Sequence, residues 1–184
     1  MKGMVFTEFM DMVEQKFSPE LMDEVIAAAA PPNGGAYTAV GQYDHHELVK
    51  MVIELSQRTG VAVPDLVRAF GEYLFGRFHQ GYPHLFEGMD SAFRMLSSIE
   101  SIIHPEVRKL YPDARPPRFD IAGDGVDTLE MTYRSDRHFG DLAEGLIRAC
   151  IAHFGEHISI RREDLPAASG SVIRFVLTRE AACA

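Results

Sequence analysis

The sequence predicts an α+β fold, with an N-terminal helical subdomain packed on a C-terminal subdomain of a small sheet with helices. Two observations predict it. Apolar residues recur at helical period through the first two thirds of the chain, and three later segments alternate apolar and polar residues instead. A third fits them together: one more helical stretch, Phe139 to Phe154, lies between the first and second alternating segments.

The elements follow in order. Val5, Phe9, Met12 and Val13 mark a first helix. Ser18-Pro19 opens a second, with Ser as cap and Pro in the first turn, and its alanine run ends at the loop Pro31-Pro32-Asn33-Gly34-Gly35. Tyr37 to Tyr43 reads as an extended linker. Asp44 caps a third helix, with Glu47 as its capping-box partner and Gly60 as its end. Pro64 starts a fourth, whose stripe Leu66, Phe70, Leu74 and Phe78 is too apolar for solvent; Pro83 ends it. A fifth is expected from about Asp90 to His104, followed by an irregular segment stiffened by Pro112, Pro116 and Pro117. Strands are expected at Thr128 to Arg134, His157 to Arg162 and Val172 to Leu177, the last two joined as a hairpin through Leu165 to Ser171.

A length of 184 residues favours a single domain, read as residues 1–180 with a disordered tail at 181–184. Eighteen Lys and Arg against 27 Asp and Glu leave a formal charge of -9, which argues against a nucleic-acid partner or attraction to anionic lipid. The N-terminus does not read as a signal peptide, and no run of apolar residues is long enough to span a membrane, so a cytoplasmic protein is expected. Two cysteines, Cys150 and Cys183, make neither a disulfide framework nor a thiolate zinc site.

No HExxH, Walker loop, GxSxG or CxxC is present, and His45 and His46 read as surface residues at a helix start. The segment from His104 to Arg137 says more. Tyr133, Ser135 and Arg137 stand two apart, so on an extended stretch they point the same way. A phenol, a hydroxyl and a guanidinium converging from one side suit two carboxylates or a phosphate. The same spacing also suits an edge strand with a polar face.

With a lone His104 upstream, Pro117 between, and the helix Asp141 to Ala149 downstream, the chain resembles a bacterial heme-nitric oxide/oxygen binding (H-NOX) domain, the domain type that forms the sensor of soluble guanylate cyclase. The resemblance covers nearly the whole chain. It implies the H-NOX fold with heme b (iron protoporphyrin IX) between the two subdomains. It makes His104 the iron ligand, a role that suits a neutral imidazole. Tyr133, Ser135 and Arg137 would clamp the heme propionates, and Pro117 would press on the porphyrin. Val5, Phe9, Leu74, Phe78, Leu142 and Leu146 match the family's distal wall, with Tyr37, Phe93, Leu96 and Ile99 as further lining candidates.

All the distal positions are apolar. Oxygen-binding members of the family place a Tyr where this chain has Leu142 and a polar supporting residue where it has Leu74, and Tyr73 is one residue off that face. A buried donor stabilises bound dioxygen, and lacking it costs about 1–3 kcal/mol. The resemblance therefore implies a gas sensor, not an enzyme, for nitric oxide, with carbon monoxide as a further ligand. In the family, nitric oxide weakens the bond to the proximal histidine, and stand-alone members signal to a histidine kinase or a cyclic-di-GMP enzyme. The alternatives are an oxygen sensor of the same fold and, further off, a heme oxidoreductase, which would need a distal acid–base group.

Overall fold

A computed structural model describes residues 1–180; the expected tail at 181–184, with Cys183, lies outside the described residues. Four long helices come first: α1 (Gly3–Lys16), α2 (Pro19–Ala29), α3 (His45–Thr59) and α4 (Val63–Gly81). Their apolar stripes meet in one core built on Phe6, Phe9, Met22, Leu48, Met51 and Phe70. Ser18 caps α2 by accepting from the Leu21 amide at 3.1 Å. Asp44 caps α3 through the His46 amide at 3.0 Å, but the expected capping box does not close. Glu47 instead accepts from the Tyr37 hydroxyl at 2.8 Å, a tertiary bond that pins the Tyr37–Tyr43 segment. There Tyr37 stacks on Phe6 with ring centroids 4.5 Å apart.

The fifth expected helix is not one helix. It breaks into α5 (Ala92–Ser97), a π-helical turn (Ile99–Ile103) and α6 (His104–Leu110), and it runs on past His104 rather than ending there. In the π turn the Ile103 amide donates to the Ser98 carbonyl and the His104 amide to the Ile99 carbonyl, each one residue further back than in an α-helix. Pro105 supplies the reason. It has no N–H for the carbonyl four residues back, and its ring would crowd that carbonyl; a wider turn just ahead of it lets the helix continue.

The sheet has four strands, one more than the sequence predicts. Its order is β1 (Arg118–Ala122), β2 (Thr128–Ser135), β4 (Ser171–Arg179), β3 (Ile158–Leu165), every neighbour antiparallel. The unexpected strand β1 pairs Phe119 with Tyr133 of β2. One sheet face, with Met131, Tyr133, Ile173 and Phe175, joins Phe93, Leu96 and Ile147 in a second core. Helix α7 (Gly140–His153) lies between this core and the first, and Leu146 packs against both. Close approach of α4 to α7 depends on two glycines. A Cβ on Gly71 would run into the Leu142 carbonyl oxygen, and one on Gly145 into that of Arg68.

Candidate heme cavity

Between the helical subdomain and the sheet subdomain lies a cavity of about 320 Å³ with largely apolar walls. His104, buried at the start of α6, opens onto it. The π turn and α6 carry Glu100 four residues upstream on the same face, and His104 Nδ1 lies 2.9 Å from Glu100 Oε1. An ionised carboxylate only accepts, so Nδ1 donates and the lone pair sits on Nε2. The same carboxylate oxygen accepts from the Phe119 amide at 2.9 Å, which ties the histidine's support to β1. Burial pulls the His104 pKa below its ordinary value and outweighs the pull of Glu100 the other way. The result is a neutral imidazole, oriented by a carboxylate, with one nitrogen left for a metal. Sequence reasoning identified no acceptor for this histidine; the four-residue spacing to Glu100 was the available signal.

Tyr133, Ser135 and Arg137 also line the cavity. They converge, Tyr133 and Ser135 by strand alternation within β2 but Arg137 from beyond its end. β2 ends at Ser135, and the chain bends so that the Arg137 amide donates to Ser135 Oγ at 3.1 Å. The Arg137 carbonyl accepts from the Tyr133 hydroxyl at 3.3 Å and from Ser171 Oγ at 3.0 Å. Tyr133 and Ser135 therefore hold the backbone of Arg137 as well as facing the cavity. The Arg137 guanidinium donates to the Arg115 carbonyl at 3.3 Å and has no carboxylate partner among the described residues. A half-buried guanidinium without an anion is a binding site for one.

Val5, Leu74, Phe78, Leu142 and Leu146, from α1, α4 and α7, also line the cavity wall. Phe9 is not on it: its ring packs edge-on against Phe70, centroids 5.3 Å apart, inside the helical core. Tyr73 lies off the wall, its hydroxyl accepting from Gln15 at 3.1 Å. Leu96, Ile99 and Pro117 line the cavity, whereas Tyr37 and Phe93 belong to the two cores. Tyr82 and Tyr111, which sequence reasoning did not single out, also reach the wall and pair their hydroxyls at 3.3 Å. Cys150 lines it too, and burial pushes its thiol pKa up to about 12, so it stays protonated and apolar in character. These residues fit a heme: a free imidazole nitrogen for iron, apolar walls for the porphyrin, and a guanidinium awaiting a carboxylate.

Comparison with known proteins agrees with this chemistry. The family model described as Haem-NO-binding matches residues 2–162. No curated protein matches the chain. Among solved structures, the Fe(II) unliganded H-NOX protein mutant A71G from K. algicida is 35% identical with a TM-score of 0.92, covering 99% of this chain and 98% of its own. The H-NOX from Shewanella woodyi, solved in the Fe(II)CO ligation state, is 38% identical with a TM-score of 0.84 over 100% of this chain and 97% of its own. The H-NOX protein from S. oneidensis in the Fe(II)NO ligation state is 25% identical with a TM-score of 0.89, covering 98% of this chain and 100% of its own. No helix among the described residues is long and apolar enough to cross a membrane. Matched across most of its length and more than 30% identical to two of these proteins over nearly all of theirs, the chain belongs to the haem-NO-binding (H-NOX) family of heme-based gas sensors, and heme is its cofactor.

Proposed function

We propose that this domain senses nitric oxide rather than oxygen and reports it, without catalysis of its own, to a separate cytoplasmic effector protein, a histidine kinase or a cyclic-di-GMP enzyme. One observation carries the choice of gas. Of the residues that the family resemblance assigns to the distal wall, Val5, Leu74, Phe78, Leu142 and Leu146 line the cavity, and none of their side chains can donate a hydrogen bond. Beyond the Tyr133 clamp, Tyr82 and Tyr111 also line the cavity, and their hydroxyls pair at 3.3 Å with one donating to the other. Dioxygen binding gains most from a buried donor; nitric oxide and carbon monoxide gain less, and the apolar wall selects for them.

When bound, heme would supply an iron able to take a diatomic gas. His104 would hold that iron, its Nε2 being the nitrogen left free while Glu100 fixes the ring through Nδ1. Arg137, positioned by Tyr133 and Ser135, pairs with the propionates. Pro117, with its fixed backbone and rigid ring, lines the cavity from the irregular segment before β1 and would press on the porphyrin. Tension or slack at His104 passes to α6 and, through Glu100, to the Phe119 amide of β1, so one displacement reaches both the helix and the sheet edge. The S. oneidensis protein in its Fe(II)NO state lends support as a relative of the same fold.

The electronic spectrum of the ferrous protein tests the reading. It is expected to show a five-coordinate, histidine-ligated heme that changes with nitric oxide and forms no stable adduct in air. A stable oxy spectrum would overturn nitric oxide selectivity and support the oxygen-sensor alternative.

A further inference from the structure

Heme carries two carboxylates, and the Tyr133–Ser135–Arg137 clamp contains one cation. Burying or half-burying a second carboxylate without a partner is costly. Four cationic groups line the cavity at this end: the Met1 ammonium, Lys2, Arg115 and Arg137. Two are already committed. The Met1 ammonium donates to the Tyr43 carbonyl at 2.6 Å. Lys2 pairs with Asp113 at 2.9 Å and lies over the Tyr111 ring, 5.4 Å from its centroid. That pairing also neutralises Asp113, the carboxylate nearest in sequence to Arg115. Among the described residues, the Arg115 guanidinium makes no hydrogen bond and no ion pair.

We infer that Arg115 is the second carboxylate partner of the cofactor, completing with Arg137 a two-arginine grip on the two propionates. The inference rests on the reading that Arg137 faces them. The two arginines are joined: the Arg137 guanidinium donates to the Arg115 carbonyl at 3.3 Å, which sets the chain segment bearing one cation against the side chain of the other. Pro116 follows directly and restricts the Arg115 backbone, so the segment is held in place before any cofactor arrives. Arg115 is solvent-exposed, whereas Arg137 is half-buried. Its contribution is therefore the weaker and the more easily screened by salt. The planar fork of each guanidinium matches one carboxylate, and the pair would orient the porphyrin edge rather than only attract it.

Transfer of heme from the loaded protein to excess apomyoglobin, followed at the Soret band, tests this. Arg115→Gln is expected to lose heme about two- to fivefold faster than the unmodified protein at low ionic strength, as suits an exposed ion pair. Arg115→Lys should fall between the two, and Arg137→Gln should be faster than either. Added salt should shrink the Arg115→Gln difference. The ferrous spectrum of Arg115→Gln should keep its histidine-ligated form, since the residue does not touch His104. If Arg115→Gln releases heme at the unmodified rate while Arg137→Gln is accelerated, the second grip does not exist. If neither substitution alters the rate, the clamp reading itself fails along with it.

Discussion

The cavity lining around His104 and the lining drawn from α1, α4 and α7 are made of opposite materials. On the histidine side polar groups are stacked two deep: Glu100 holds the imidazole, and the Phe119 amide holds Glu100. From α1, α4 and α7 come five lining side chains, Val5, Leu74, Phe78, Leu142 and Leu146, with no polar atom among them. One wall is built to fix a cofactor in a single orientation, which needs directional bonds whose every partner is satisfied. The other is built to leave a small ligand undirected, which needs only shape and dryness. Selectivity among gases is thus read from what the second wall lacks, and affinity for heme from what the first contains.

The largest effect should come from removing the centre of the polar wall. His104→Gly is expected to abolish histidine ligation and stable heme retention, with added imidazole restoring a five-coordinate ferrous spectrum. A variant that kept the normal spectrum without imidazole would break the comparison, because the polar wall would then serve something other than the iron. Next in size is Glu100→Ala. It leaves the ligand in place but unoriented and strips the Phe119 amide of its acceptor; losses for such supporting residues run to about 10–100-fold in affinity. Competitive heme transfer would measure it. An unchanged affinity would mean that packing alone orients the ring.

How much of this was legible in the sequence differs between the walls. His104 and the Tyr133, Ser135, Arg137 spacing could be picked out because residue type and separation carry the chemistry. How the three converge could not, since the bend after Ser135 is set by bonds to Arg137 and by Ser171 from a distant strand. Helical phase puts Val5 and Phe9 on one face of α1, yet only Val5 reaches the cavity. Which of the two does so is decided by Phe70 on α4, a contact that periodicity does not encode. Strand β1 was hidden for a similar reason: five residues between Pro117 and Gly123 become a strand by pairing with β2. Glu47 shows a tertiary contact overriding a local rule, its carboxylate going to Tyr37 rather than back to the helix cap.

The apolar wall can be tested by giving it what it lacks. Leu142→Tyr places a phenol on α7 where the wall faces the ligand, and it is expected to raise oxygen affinity by about tenfold or more, the worth of one buried hydrogen bond of 1–3 kcal/mol. Oxygen titration of the ferrous variant reads the change directly. No gain would mean that the donor cannot reach the ligand from α7, and that selectivity rests on the other side of the heme.

The smallest effect concerns the joint between α4, α7 and β3. Glu144 on α7 is buried, accepts hydrogen bonds from Arg148 at 2.8 Å and Arg162 of β3 at 3.3 Å, and forms an ion pair with Arg68 of α4 at 3.2 Å, so one carboxylate links three elements. Burial alone would raise its pKa, but the bonds from Arg148 and Arg162 and the charge of Arg68 outweigh it and hold the group below its ordinary 4.5. A carboxylate lowered in the folded state contributes stability that is complete above its unfolded value and is lost as pH falls through the folded one. Thermal midpoints measured downward from about pH 6 should therefore drop steadily below pH 4.5 in the native protein. In Glu144→Gln the midpoint should start lower and fall less steeply, so that the two curves approach each other in acid. The neutral amide keeps the shape and part of the hydrogen bonding, which separates the charge from the packing. Parallel curves would assign the α4–α7 joint to the Gly71–Gly145 helix contact alone and leave the arginine cluster without a part in it.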